Sequence, residues 1–156
     1  LIEYTINAAL KSKYINEDNL FINTDFDKVI DIAKKRNIKV IERPTHLAGD
    51  KIWTQPVINH TEDELGGLDD EDIIVILQAN SPQITSEKID ECIDMLIDND
   101  LFEVHTIDST MINNGAIQVI KRKVREQKGK VCYNGVVMAD WIDVHTIEDV
   151  NKIGEL

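Results

Sequence analysis

Basic residues, cysteines and long apolar runs are all scarce in this sequence. Lys and Arg number 17 against 29 Asp and Glu, giving a net charge of −12. That balance excludes nucleic acid, or an anionic membrane surface, as the main partner, because both are bound through clustered positive charge. It also means that an anionic small substrate needs a metal ion or a local basic cluster. No apolar run approaches the about 20 residues that span a bilayer. The only two cysteines, Cys92 and Cys132, lack metal-ligand spacing, and two scattered thiols read as reduced core residues of a cytoplasmic protein. Gly66-Gly67 fits neither G-x-G-x-x-G nor G-x-x-x-x-G-K-[ST], so neither a dinucleotide turn nor a P-loop is expected. There is no Ser-His-Asp or Cys-His constellation in a known context, no internal repeat and no low-complexity segment.

What is present is an α/β pattern in 156 residues, one domain's worth of chain. Ile73 to Leu77 is an unbroken aliphatic run, the habit of a strand buried on both faces of a parallel sheet. It stops at Gln78-Ala79-Asn80-Ser81-Pro82-Gln83, and ligands of open α/β sheets bind beyond such strand ends. Around it, helices are expected at Leu1–Lys13, Phe26–Arg36, Thr54–Leu65, Thr85 or Ser86 to Ile97, and Thr146–Leu156. Thr54 reads as an N-cap, and Thr146 with Asp149 as a cap pair. Strands are expected at Leu20–Asn23, Ile38–Ile41, Leu101–Thr106, Gly115–Ile120 and Val131–Met138, with Lys121–Lys130 a basic, exposed hairpin or short helix. Asp69-Asp70-Glu71-Asp72 reads as a solvated turn. The order β-α-β-α-β-α with a β-rich tail predicts a three-layer α/β/α, doubly wound, mostly parallel sheet of Rossmann-like type. Right-handed crossovers would bring the loops after Asn23, Ile41 and Leu77 to one sheet edge.

The residues on those loops resemble a family. Asn23-Thr24-Asp25 is similar to an S-T-D motif. Arg43-Pro44-Thr45-His46-Leu47-Ala48-Gly49-Asp50 resembles R-P-x-x-L-A-x-D, with His60 at the usual distance. Leu77-Gln78-Ala79-Asn80-Ser81-Pro82 resembles L-Q-P-T-S-P, Asn114-Gly115-Ala116-Ile117 an N-G-A-I strand, and Ile142-Asp143-Val144-His145-Thr146 the start of I-D-I-D-T-x-E-D. Together with a first helix at Leu1–Leu10, these are the motifs of the acidic-sugar cytidylyltransferases: the CMP-N-acylneuraminate, CMP-pseudaminate and CMP-legionaminate synthetases. Four departures stand out. The family's first strand and basic nucleotide loop are expected either to lie outside these 156 residues or to be missing from a truncated domain. The segment between Leu101 and Asn114 is shorter than the family's, which carries sugar-binding and dimer contacts there. Ile84 stands where the family often has Arg, and His145 replaces the second Asp of D-x-D.

The resemblance implies attack of a nine-carbon, sialic-acid-like sugar's hydroxyl on CTP, giving a CMP-sugar and pyrophosphate. It implies Mg²⁺ or another divalent cation, with Asp143 as the catalytic carboxylate and Asp143 and His145 as candidate ligands. It implies nucleotide contacts from Arg43, Thr54 and Asp25, sugar contacts from Gln78, Asn80 and Ser81, and a homodimer. Each residue has a plainer alternative. Arg43 is otherwise a solvated strand-end arginine, Thr54 and Asp25 helix caps, and Gln78 a glutamine satisfying loop backbone. Asn80 and Ser81 are otherwise turn formers, His145 a polar residue before the Thr146 cap, and His60 a structural residue in mid-helix. Two functional rivals stay open: a catalytically impaired nucleotide- or sugar-binding domain of the same fold, and a sugar nucleotidyltransferase using another base.

Overall fold

The computed structural model describes residues 1–49, 51–124 and 133–154. Chain order is α1 (Ile2–Ala9), β1 (Phe21–Thr24), α2 (Asp27–Lys35), β2 (Lys39–Glu42), α3 (Thr54–Leu65), β3 (Ile73–Leu77), α4 (Ser86–Asp98), β4 (Glu103–Ile107), β5 (Asn113–Lys121), β6 (Asn134–Met138) and α5 (Ile147–Ile153), with 3-10 turns at Thr45–Leu47 and Arg122–Val124. Two compact units result: Ile15–Leu68, and Leu1–Tyr14 with Asp69–Leu156.

In the 15–68 unit, β1 and β2 pair in parallel from Phe21↔Lys39 to Thr24↔Glu42. The loops that follow the two strands therefore leave from the same end. Between them, α2 carries Asp27 in its first turn and Lys34 and Lys35 in its last, matching the helix dipole. It ends without glycine. Asn37 takes a left-handed φ of 55°, and the Ile38 N–H reaches back to the Ala33 carbonyl at 2.9 Å while Asn37 N–H bonds Lys34 at 3.2 Å. This is the Schellman arrangement, with Ile38 and Ala33 both buried beneath it. Residue Thr54 is the first helical residue of α3, and the cap position belongs to Trp53, which makes no side-chain cap bond. The Thr54 cap expected from sequence is thus corrected: the helix starts one residue earlier than a threonine cap requires. Gly66 and Gly67, at φ 60° and 68°, stop α3 in a conformation that favours glycine.

In the other unit, four strands run in the order β3-β5-β4-β6. β5 is antiparallel to both β3 and β4, and β6 is parallel to β4. α4 packs over β4, β5 and β6. Its Ile89, Cys92, Ile93 and Leu96 share the core with Val104, Thr106, Ile117, Val119 and Val137, all nearly or wholly buried. Desolvation there pushes the Cys92 thiol up to about 12, so it is an inert core group. Thr85 caps α4 by accepting from Lys88 N–H, and Asp100 at φ 49° closes it in a second glycine-free Schellman turn. Gly135 of β6 sits close under neighbouring side chains: a Cβ there would lie 2.6 Å from Leu101 Cδ1 and 2.8 Å from Met95 Sδ, so those side-chain ends would have to shift.

Three expectations change. The Ile73–Leu77 run is half-buried at every position rather than buried on both faces, because β3 ends the four-strand order and has a ladder partner, antiparallel β5, on one side. The acidic turn is exposed, as expected, and two of its carboxylates pair with the residues after β5: Arg122 Nη1 lies 3.3 Å from Asp70 and Lys123 Nζ 2.6 Å from Glu71. Lys121, read as exposed, is buried at the end of β5 and paired with Asp100. Residues 125–130 of that basic stretch, and 131–132 at the start of the expected last strand, including Cys132, lie outside the described residues. α1 ends at Ala9, four residues before the expected boundary; the following Ser12 hydroxyl bonds Asp90 at 2.5 Å and Lys13 Nζ bonds Asp94 at 2.8 Å, tying that turn to α4. The capping box of Thr146 and Asp149 is present. No helix among the described residues is long and apolar enough to cross a membrane.

Candidate functional site

The parallel ends of β1 and β2 deliver Asn23, Thr24, Asp25 and Arg43 to one place. The Arg43 backbone N–H bonds the Thr24 carbonyl at 2.9 Å, continuing the ladder by one residue. Its guanidinium then folds back: Nε donates to Asn23 Oδ1 at 2.9 Å and Nη2 to the Asn23 carbonyl at 2.7 Å. Nη1 lies outside these bonds. The Asn23 amide nitrogen in turn donates to Thr61 Oγ1 at 2.8 Å and meets His60 Nδ1 at 3.2 Å, both on α3. Arg43 is thus a fixed charge rather than a solvated chain.

Beside it lies a cavity of about 590 Å³. Asp25 and Arg43 both line it, with Asp27, Asp31, Lys34 and Glu42. Asp25 does not cap α2: Phe26 holds that position, and Thr24 Oγ1 accepts the Phe26 N–H at 3.1 Å. Four carboxylates against two cations repel a triphosphate and favour groups that donate hydrogen bonds, such as an exocyclic amine or a ribose hydroxyl. Thr54 is exposed and does not line this cavity.

In the other unit the loop after β3 is stitched to residues 142–144. Val144 N–H bonds the Asn80 carbonyl at 2.8 Å, Ile142 N–H bonds Gln83 Oε1 at 2.8 Å, and the Ser81 hydroxyl donates to Asp143 Oδ1 at 2.5 Å. Ser81 is fully buried, so its hydroxyl serves Asp143 rather than a ligand. The bond also requires an accepting oxygen at Asp143, as an ionised carboxylate offers, and leaves Oδ2 outside it. Gln78 anchors the strand end through its backbone, N–H to Ala116 at 3.0 Å and carbonyl from the Thr5 hydroxyl at 3.4 Å. Its half-buried side-chain amide makes no hydrogen bond among the described residues. The backbone-satisfying glutamine of this loop is therefore Gln83, and Gln78 has its amide to offer. Ile84 is a core residue, 4% exposed.

His145 sits just before the Thr146 cap, where its plainer alternative puts it. Buried Val144 separates it from Asp143, its ring is exposed, and its backbone N–H bonds Asp149 at 3.2 Å as part of the α5 start. Lys152 first, then Thr146 and the backbone N–H groups, hold the Asp149 carboxyl well below the usual range. The described residues contain no group of three His, Cys, Asp or Glu placed to hold a metal ion. Asp143 alone, with one carboxylate oxygen outside the Ser81 bond, still fits a hard divalent ion, which commonly takes one or two carboxylates and completes its shell with substrate phosphates and water. Sequence reasoning gave no role to Asn23 or Gln83 and read His60 as structural; their partners are distant in sequence, and only the family spacing of His60 after the Arg43-Pro44 motif hinted at a link.

A family profile described as Cytidylyltransferase matches residues 1–134. A 3-deoxy-manno-octulosonate cytidylyltransferase of Francisella tularensis subsp. tularensis (strain FSC 198) is 32% identical over 108 residues, 69% of this chain and 40% of that protein. An N-acylneuraminate cytidylyltransferase of Streptococcus agalactiae serotype III (strain NEM316) is 28% identical over 104 residues, 67% of this chain and 24% of that protein. The chain spans less than half the length of either curated relative. Among solved structures, a CMP:2-keto-3-deoxy-manno-octonic acid synthetase complexed with CTP superposes with a TM-score of 0.72 at 13% identity, over 97% of this chain and 85% of that one. A 4-diphosphocytidyl-2C-methyl-D-erythritol synthase from Anaerococcus prevotii DSM 20548 gives 0.64 at 18% identity, over 97% and 82%. At these identities the likeness shows the fold: α/β, of the nucleotidyltransferase kind.

Proposed function

The chain belongs to the cytidylyltransferase family, and from that premise we propose that it serves an enzyme transferring CMP from CTP to an acidic sugar. In the proposed reaction a sugar hydroxyl forms the new O–P bond at the α-phosphate, the bond to the β-phosphate breaks, and pyrophosphate leaves. Such transfers depend on positioning and charge neutralisation more than on covalent catalysis. The observation that carries the proposal is the fixed Arg43 guanidinium lining a cavity with Asp25, Asp27, Asp31 and Glu42, in a chain of this family. Arg43 and Asp25 would take the base and ribose of CTP, whose hydrogen-bond donors suit the carboxylates. Gln78 and Asn80 would take the sugar acid, and Ser81 would hold Asp143. Asp143 would ligate a divalent cation, Mg²⁺ by its oxygen preference, and that ion would neutralise charge on the phosphates. His145 is not needed in this arrangement. The relatives' names divide between an octulosonate and a neuraminate, and a nine-carbon acid is the finer form of the proposal, supported by the motifs at Arg43–Asp50 and Leu77–Pro82.

The test is pyrophosphate release by the full-length protein with CTP, Mg²⁺ and a panel of eight- and nine-carbon sugar acids. Release with a nine-carbon acid supports the finer form, and release with only an eight-carbon acid replaces it. A second arrangement is favoured by Ile84, a buried apolar residue where the family often has Arg: binding without transfer. CTP binding by calorimetry with no turnover on any sugar would establish that instead.

A further inference from the structure

Hydrogen counting in the 15–68 unit fixes more than the place of Arg43. A guanidinium Nε can only donate, so the Asn23 oxygen must face it at 2.9 Å, and the Asn23 amide nitrogen must face α3. There it meets Thr61 Oγ1 at 2.8 Å. Thr61 spends its own proton on the Val57 carbonyl, at 2.8 Å, and can only accept from Asn23. The second Asn23 amide proton then points at His60 Nδ1, 3.2 Å away, which must carry a lone pair. The imidazole proton is on Nε2. Both amide protons and one oxygen lone pair of the Asn23 side chain are engaged, and one of these bonds depends on the tautomer of a histidine 37 positions along the chain.

We propose that His60 is a positioning residue: through Asn23 it holds the Arg43 guanidinium in the orientation that meets the nucleotide. The proposal rests on Arg43 being a nucleotide contact, as argued above. His60 itself is not a ligand residue. Its acceptor, with that of Thr61, keeps the Asn23 amide from rotating, and a rotated amide would set its NH₂ against Arg43 Nε, donor facing donor. A helix residue thereby sets the aim of a charge that leaves the end of a parallel strand pair.

The experiment is CTP affinity of the full-length protein by calorimetry, for wild type, Arg43→Ala, His60→Leu, His60→Gln and the Arg43→Ala/His60→Leu double variant. Circular dichroism verifies folding, and ¹⁵N-detected imidazole shifts read the His60 tautomer. Charged hydrogen bonds are worth enough that Arg43→Ala is expected to weaken CTP about tenfold or more. His60→Leu should weaken it about fivefold, while His60→Gln, which keeps an acceptor, stays within about twofold. In the double variant the His60 change should add nothing, since coupled residues are not additive. The ¹⁵N shifts should show Nε2 protonated. Additive losses, equal damage from Leu and Gln, or a protonated Nδ1 would overturn the relay while leaving Arg43 in place. Wild-type affinity in Arg43→Ala would overturn both the relay and the nucleotide role of Arg43. Should His60→Leu fail to fold, His60→Gln and the tautomer still decide.

Discussion

Arg43 is held by two hydrogen bonds to a single asparagine whose amide protons are themselves both engaged, whereas Asp143 is held by one hydroxyl from a fully buried serine. The first is a surface charge stiffened by a polar network running into a helix. The second is a half-buried carboxylate clipped to a tight turn, with one oxygen outside the clip. The difference shows two ways in which a fold prepares a charged group. A network aims a cation that must meet a ligand with little freedom left to lose. A single buried clip sets a carboxylate's position but leaves its outer oxygen to be completed by whatever binds.

Breaking the network should give the largest effect. Arg43→Ala should weaken CTP by about 10- to 100-fold, the scale of a charged hydrogen bond, with the melting temperature nearly unchanged. Calorimetry and thermal melts check the pair of outcomes. Breaking the clip should do the reverse. Ser81→Ala leaves Asp143 without its hydroxyl donor and should lower stability by about 1–3 kcal/mol in urea unfolding, with turnover falling as the carboxylate loses its aim. Gln78→Ala sharpens the contrast inside the second region. Since its amide makes no hydrogen bond among the described residues, stability should move by less than about 0.5 kcal/mol while KM for the sugar rises. An effect on stability as large as that of Ser81→Ala would show Gln78 to be structural. The smallest effect lies away from both regions. The Asp149 carboxyl is held low by Lys152, Thr146 and backbone N–H groups. A depressed folded pKa contributes stability that is present above the unfolded value of about 3.9 and is lost as pH falls below it. Asp149→Asn should therefore flatten part of the acid limb of a pH–stability curve and leave CTP binding unchanged.

Much of the fold was legible because it is written locally. The helical spacing of α4, its Thr85 cap, the Thr146–Asp149 box and the β1-α2-β2 order all depend on neighbours within a few residues, and all are present. The environment of β3 was not legible. An unbroken aliphatic run specifies a strand and its apolar faces, but not how many ladder partners it has, and Ile73–Leu77 has one among the described strands of its unit. The helix ends near Arg36 and Ile97 were legible to within a residue, but not the way they close: Asn37 and Asp100 are left-handed residues other than glycine. In the site, Asp25 and Arg43 meet because the parallel pairing aligns consecutive strand ends, which sequence order alone suggests. The roles of Ser81, Asn23 and His60 arise from contacts between elements 37 to 62 positions apart, and no local pattern encodes those.

The central claim is that this chain serves CMP transfer to a sugar acid. It is tested most directly by pyrophosphate release from CTP by the full-length protein with Mg²⁺, in the presence and absence of a panel of acidic sugars. The account predicts release that requires an acidic sugar and is lost in Arg43→Ala. No release with any acid in the panel, from a folded protein that binds CTP, would contradict it.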